Sequence, residues 1–115
     1  MDMNYLDIPE YAHLLSIIPF GEENAIKRPT LVRLLGVNDR TNRDMISNLR
    51  TCAVILHSPK GGYYRPTDQE ADKVRRYIKQ ERSRAISNFR SVQFAERYLE
   101  DIKRGVLDGT HKIGP

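Results

Sequence analysis

Residues 28–65 read RPTLVRLLGVNDRTNRDMISNLRTCAVILHSPKGGYYR, and this stretch decides the fold. One helical pattern stops at Gly36-Val37-Asn38, and a second follows at once over residues 39–50. A β-like run over residues 54–58, a Lys60-Gly61-Gly62 turn and a β-like run over residues 63–65 come next. The stretch therefore predicts a helix, a tight turn, a second helix and a basic hairpin, in that order.

The second of these helices separates apolar from basic positions. Ile46 and Leu49 lie three residues apart, flanked by Met45 and Asn42, and predict the buried stripe. The outward side holds four polar residues at i, i+3, i+7 and i+10, namely Arg40, Arg43, Ser47 and Arg50. Arginines on such a helix can bind guanine edges or phosphates. The alternative is an ordinary surface helix with solvated arginines.

Elements on either side of this stretch complete a small core. Pro9 and Glu10 predict the start of a first helix, and residues 25–26 suit a short strand that adds to the hairpin. Gly36 suits the positive φ of a helix C-terminus, and Asn38 or Asp39 caps the next helix. The predicted core positions of the first two helices are Tyr11, Leu14, Leu15, Ile18, Leu31, Leu34 and Leu35.

A long helix is predicted over residues 68–102, which contain neither Pro nor Gly, with Thr67 and Glu70 as a capping box. Apolar residues recur there at steps of seven, although charged residues interrupt the companion positions. Two arrangements can cover this helix: pairing with a second copy, or folding back on the acidic first helix. For the pairing we expect the dimer contacts Ile78, Ala85, Phe89, Val92 and Leu99.

Charge is distributed unevenly along the 115 residues. Residues 1–23 hold five acidic and no basic side chains, whereas residues 24–66 hold eight basic and two acidic ones. The predicted helix-turn-helix and hairpin thus carry the densest positive charge, as a phosphate-binding surface requires. The lone Cys52 and the lack of a signal-peptide pattern or an apolar run of membrane length indicate a cytoplasmic protein without membrane contact. No metal-ligand spacing, phosphate loop or catalytic motif is present, so we expect no enzyme, cofactor or metal.

Residues 14–65 resemble the winged helix-turn-helix modules of bacterial regulators and phage-encoded proteins. The likeness lies in LLGVNDRTNR at residues 34–43, ISNLR at residues 46–50 and KGGYY at residues 60–64. By position, the resemblance implies groove-facing roles for Arg40, Thr41, Arg43 and Ser47, and places Lys60 at the wing tip. Asn42 departs from the pattern, since such modules carry an inward-packing apolar residue there.

The predicted fold is mainly α with a small β-hairpin: a winged helix-turn-helix (9–66), a long C-terminal helix (67–103) and a flexible tail (104–115). The predicted function is sequence-specific binding of double-stranded DNA by a homodimer, as a transcription regulator or a phage or mobile-element control or replication factor. The expected DNA contacts are Lys27, Arg28, Arg33, Arg40, Thr41, Asn42, Arg43, Ser47, Arg50, Lys60 and Tyr63. The alternative function is a protein-interaction module that binds or inhibits a host nucleic-acid enzyme or defence complex.

Overall fold

The computed structural model describes residues 4–105, a mainly helical α+β arrangement with one two-stranded hairpin and a long C-terminal helix. Its helices are α1 (Pro9–Ile17), α2 (Arg28–Leu35), α3 (Asp39–Leu49) and α4 (Ala71–Lys103), and its strands are β1 (Leu56–His57) and β2 (Tyr63–Tyr64). Short 3-10 turns span Tyr5–Asp7, Glu22–Asn24 and Asp68–Glu70. The predicted fold class and element order are confirmed.

Local signals in the sequence set the helix ends. Pro9 opens α1 at its first position, and Gly36 ends α2 in the left-handed region with φ +70°. The Asn38 side chain caps α3 by accepting a hydrogen bond of 2.7 Å from the Thr41 backbone amide. The capping box of Thr67 and Glu70 is present before α4.

The core lies between the first three helices and the hairpin. Leu14 of α1, Ile18 directly after α1, Leu31 of α2 and Ile46 of α3 are almost fully buried. The remaining members of the buried cluster are Leu15, Met45, Leu49, Ile55 and Tyr63. The apolar face of α3 therefore packs inward, which turns its opposite face to solvent.

The hairpin is short, and an isolated bridge adds to it on the β2 side. Leu56 pairs with Tyr64 and His57 with Tyr63, and Ile26 forms an antiparallel bridge to the other edge of Tyr63. The expected strand over residues 25–26 is thus present as a single bridge. Gly62 has φ +104°, and a Cβ atom there would lie 2.8 Å from the Ile26 carbonyl oxygen, so this position has no room for a side chain.

Two core predictions are wrong. Leu34 was expected inside, but it is 56% exposed, because α2 buries only Leu31 fully and packs Leu35 partly against the cluster. Tyr63, which was expected to contact DNA, is also buried, as is its neighbour Tyr64. Burial on both sides of β2 raises the pKa of Tyr64, whose electrostatic neighbours include Glu22, Lys73 and Glu70.

The chain divides into two compact units, with the boundary between Tyr77 and Ile78. Residues 71–77 of α4 belong to the first unit, which contains the whole buried cluster, and residues 78–103 of α4 belong to the second. Apolar residues of the second unit are exposed, with fractions from 42% at Ile78 to 64% at Phe94. The predicted tail beyond Gly105 lies outside the described residues. No helix among residues 4–105 has both the length and the apolar character needed to cross a bilayer.

Candidate nucleic-acid interface

The outward face of α3 presents a row of polar side chains. Arg40, Arg43 and Ser47 are exposed, while Ile46 and Leu49 on the other face are in the core. Residues at i, i+3 and i+7 share one helical face, so these three side chains form a continuous row. A row of this kind can donate hydrogen bonds to base edges or phosphates.

Asp39 joins this row to the start of α2. Its Oδ1 lies 2.8 Å from Arg28 Nε, and its Oδ2 lies 3.5 Å from Arg43 Nε. All three side chains are about half exposed, so these ion pairs contribute little to stability. They do hold the two guanidinium groups close to one carboxylate at the N-terminus of α3. The i, i+4 spacing of Asp39 and Arg43 was visible in the sequence, whereas the tertiary pairing with Arg28 was not.

Asn42 is not part of this surface, and its predicted role in DNA contact is wrong. Its side chain is fully buried on the inner face of α3. Within residues 4–105, neither its amide nitrogen nor its amide oxygen has a hydrogen-bond partner. Thr41, its neighbour, is half-buried, and its backbone amide is used by the Asn38 cap.

Arg50 was predicted to face a groove, but the structure gives it contacts within the domain. The α-helix ends at Leu49. Backbone amides of residues 51–53 then donate hydrogen bonds to the carbonyls of Asn48 and Leu49, which forms a turn. This turn brings the Ile55 carbonyl within 3.0 Å of Arg50 Nε. The guanidinium carbon also lies 5.8 Å from the centre of the Tyr77 ring. The outward placement predicted for Arg50 is therefore wrong.

Tyr63 is likewise buried, at 6% exposure, so its expected contact with the DNA backbone is wrong. It pairs with Ile26 through two backbone hydrogen bonds of 2.8 and 2.9 Å, and its ring meets the His57 ring edge-on. Lys60 is exposed in the turn of the hairpin. Ser58 and Gly62 close this turn through a backbone hydrogen bond of 2.9 Å.

The remaining predicted cations are all exposed. Lys27 immediately precedes α2, and Arg33 lies in its last turn. Lys27 and Lys60 line one open groove of about 1030 Å³, between the turn at Glu22–Asn24, the hairpin turn and the start of α4. The surface of the first unit thus combines cations from α2, α3 and the hairpin turn.

A cluster of charges at the same groove has a structural role that the sequence did not reveal. Lys73 Nζ lies 2.6 Å from Glu22 and 3.2 Å from Glu70, and Glu70 accepts hydrogen bonds from the backbone amides of Thr67 and Glu22. These hydrogen bonds from the two backbone amides, together with Lys73, lower the pKa of Glu70 to about 2. The hydrogen bond from Lys73 lowers the pKa of Glu22, and the same contact raises the pKa of Lys73. The cluster joins the connector after α1 to the start of α4.

No protein-family model, curated protein or solved structure matches this chain. Among residues 4–105, no three His, Cys, Asp or Glu side chains are grouped so that they could hold a metal ion.

Proposed function

We propose that the protein binds double-stranded DNA through α3 and the hairpin turn. It would act as a cytoplasmic, dimeric winged helix-turn-helix protein, either a transcription regulator or a phage or mobile-element control or replication factor. The observation that supports this proposal most strongly is the row of Arg40, Arg43 and Ser47. It lies on a helix whose other face is held in the core, and a helix presented in this way can enter a major groove.

Other exposed cations of the first unit support the proposal. Arg28 and Arg33 of α2 and Lys27 before it are exposed, as is Lys60 in the hairpin turn. In this docking, α3 contacts base edges, while the lysines and the arginines of α2 contact phosphates. The resulting affinity depends steeply on salt, because each neutralised phosphate releases counterions.

The test is a fluorescence-anisotropy titration of the full chain against random duplex DNA over a salt series. We expect a dissociation constant in the micromolar range or tighter at low salt, with a steep loss of affinity as salt rises. Lys60→Ala should weaken binding to all sequences and reduce the salt slope by about one. Arg75→Ala is the matched control, since it removes one exposed cation from α4 instead.

Specificity for a DNA sequence is tested by selecting a preferred DNA site and repeating the titration with Arg43→Ala. If Arg43 contacts a base, the variant loses roughly 1–3 kcal/mol of binding free energy and tolerates changes at that base pair. Absence of DNA binding at low salt would refute the proposed function and favour the protein-interaction alternative. Recovery of a stoichiometric host protein would then support that alternative.

A further inference from the structure

The second unit exposes a row of apolar residues along α4, which Glu81 and Asn88 interrupt. Val92, Ala95, Leu99 and Ile102 follow one another at steps of three and four residues, and Ala85 and Ile78 continue the row toward the N-terminus. Every one of these side chains is exposed. Alternating steps of three and four residues produce the seam of a two-helix coiled coil. The row therefore has the form of a helix-pairing surface.

We propose that residues 78–103 of α4 pair antiparallel with the same residues of a second copy. The register is the one that places residue 90 of one helix opposite residue 90 of the other. This inference deepens the dimer of the proposed function and rests on it. In this register Ile78 lies opposite Ile102 of the second copy, and Ala85 lies opposite Ala95. Asn88 lies opposite Val92.

Charge along the helix favours the antiparallel orientation. Residues 78–94 hold four basic side chains and one acidic side chain, whereas residues 95–101 hold three acidic and one basic. An antiparallel pair places each basic segment against the acidic segment of the other copy. A parallel pair in register places Glu81 opposite Glu81 within the seam, where like charges are unfavourable. In the antiparallel pair Glu81 lies opposite Leu99 and keeps its ion pair of 2.8 Å with Arg84 of its own helix.

Residues beside the seam select the register. With the crossing at residue 90, Arg82 lies beside Glu96 of the second copy at both ends, and the two Phe89 rings meet in the middle. The next antiparallel register, shifted by one heptad, places Arg82 beside Lys103, so two repulsive pairs replace two attractive ones. Charge along this helix therefore favours the antiparallel orientation, and the Arg82–Glu96 pairs favour this register over the one that brings Arg82 to Lys103.

Spin labels on the full chain test the orientation. In a Cys52→Ala background, a single cysteine replaces Arg90 or Lys103 and carries a spin label. The distance between the two labels of the dimer is then measured by pulsed electron paramagnetic resonance. The antiparallel pair separates the two Lys103 labels by about 39 Å along the helix axes, at about 1.5 Å per residue, and leaves the Arg90 labels side by side. Similar short distances at both positions would show a parallel pair and overturn the proposal. The proposal would also fail if neither labelled protein gave a measurable distance between two labels.

A charge exchange tests the register. Arg82→Glu and Glu96→Arg should each raise the dimer dissociation constant roughly tenfold in sedimentation experiments, because two attractive pairs become repulsive. The double variant should restore the wild-type constant. Failure of this restoration would refute the register, and a wild-type protein that stays monomeric would refute the pairing.

The same proteins separate this inference from DNA binding. A monomeric or parallel protein that still binds duplex DNA contradicts the pairing alone. An antiparallel dimer without DNA affinity contradicts the DNA-binding function alone.

Discussion

Asn42 illustrates how a single residue can lower stability without affecting the fold. It lies fully buried on the inner face of α3, and in the described part of the chain its amide group has no hydrogen-bond partner. A buried polar group that lost its water without gaining a partner costs roughly 1–3 kcal/mol. The fold tolerates this cost because Ile46 and Leu49 fix the same face of the helix.

We therefore predict that Asn42→Leu increases the free energy of unfolding by about 1–3 kcal/mol, because it replaces the unpartnered amide with an apolar side chain of similar size. Urea denaturation followed by circular dichroism measures this change. Asn48→Leu is the control, since Asn48 donates a hydrogen bond of 2.8 Å to the Tyr11 hydroxyl. Loss of this hydrogen bond should lower the free energy of unfolding by about 1 kcal/mol. A loss of stability in Asn42→Leu would show that the amide makes a favourable contact.

A second prediction at this scale concerns Asp39, which lies beside Arg28 and Arg43. Asp39→Asn removes the carboxylate that neutralises part of the proposed DNA surface, so duplex DNA should bind more tightly and the salt slope should steepen by about one. Anisotropy titration at several salt concentrations measures both effects. Asp72→Asn, which frees Arg75 on α4, should leave the slope near that of the wild type if α3 is the DNA surface.

At the scale of elements, the sequence predicted the helices well because their ends carry strong local signals. Pro9, Gly36, Asn38 and the capping box at Thr67 each act within one turn of their own position. The errors fall where tertiary contacts decide the outcome. Tyr63 is covered from the Ile26 side, and Arg50 reaches a carbonyl that only the turn after α3 brings close.

The candidate interface could be predicted in part for the same reason. Exposure of Arg40, Arg43 and Ser47 follows from the helical period once Ile46 and Leu49 are placed in the core. The charge cluster of Glu22, Glu70 and Lys73 could not be foreseen, because its members are up to about fifty residues apart and meet only in the folded domain.

This cluster predicts acid sensitivity. The pKa of Glu70 falls from an ordinary 4.5 to about 2 on folding, so its contribution to stability is full above about pH 4.5 and is lost as the pH falls toward 2. The lowered pKa of Glu22 acts in the same direction. The urea midpoint of the wild type should therefore decrease between pH 5 and pH 2.5.

Glu70→Gln provides the comparison for this prediction. The variant starts less stable at neutral pH, and its urea midpoint should depend less on pH over the same interval. An equal pH dependence in both proteins would exclude Glu70 as a main source of the effect.

At the scale of the whole molecule, the division after Tyr77 separates the packed core from the exposed part of α4. Every residue of the buried cluster precedes this point, and so do Lys73 and Tyr77, which hold Glu22, Glu70 and Arg50. We predict that a chain ending at Tyr77 unfolds within about 5 °C of the full chain, a shift that corresponds to roughly 1 kcal/mol or less. Differential scanning calorimetry measures this difference.

The shortened chain should also lose affinity for DNA sites that contain two half-sites, while its affinity for a single half-site should change little. Ending the chain before Lys73 is the informative control, because it removes the partner of Glu22 and Glu70 and should destabilise the domain. A shortened chain ending at Tyr77 that fails to fold would show that residues 78–103 contribute to the core.

The close approach of Gly62 to the Ile26 carbonyl limits which mutations the hairpin can accept over evolutionary time. A side chain at position 62 would displace the bridge between Ile26 and Tyr63, so the path of the backbone in this loop is fixed. Lys60, two residues earlier, is exposed and can be exchanged without disturbing that bridge. Homologues should therefore keep glycine at position 62, whereas a change at position 60 can alter the strength of binding while the shape of the loop is inherited.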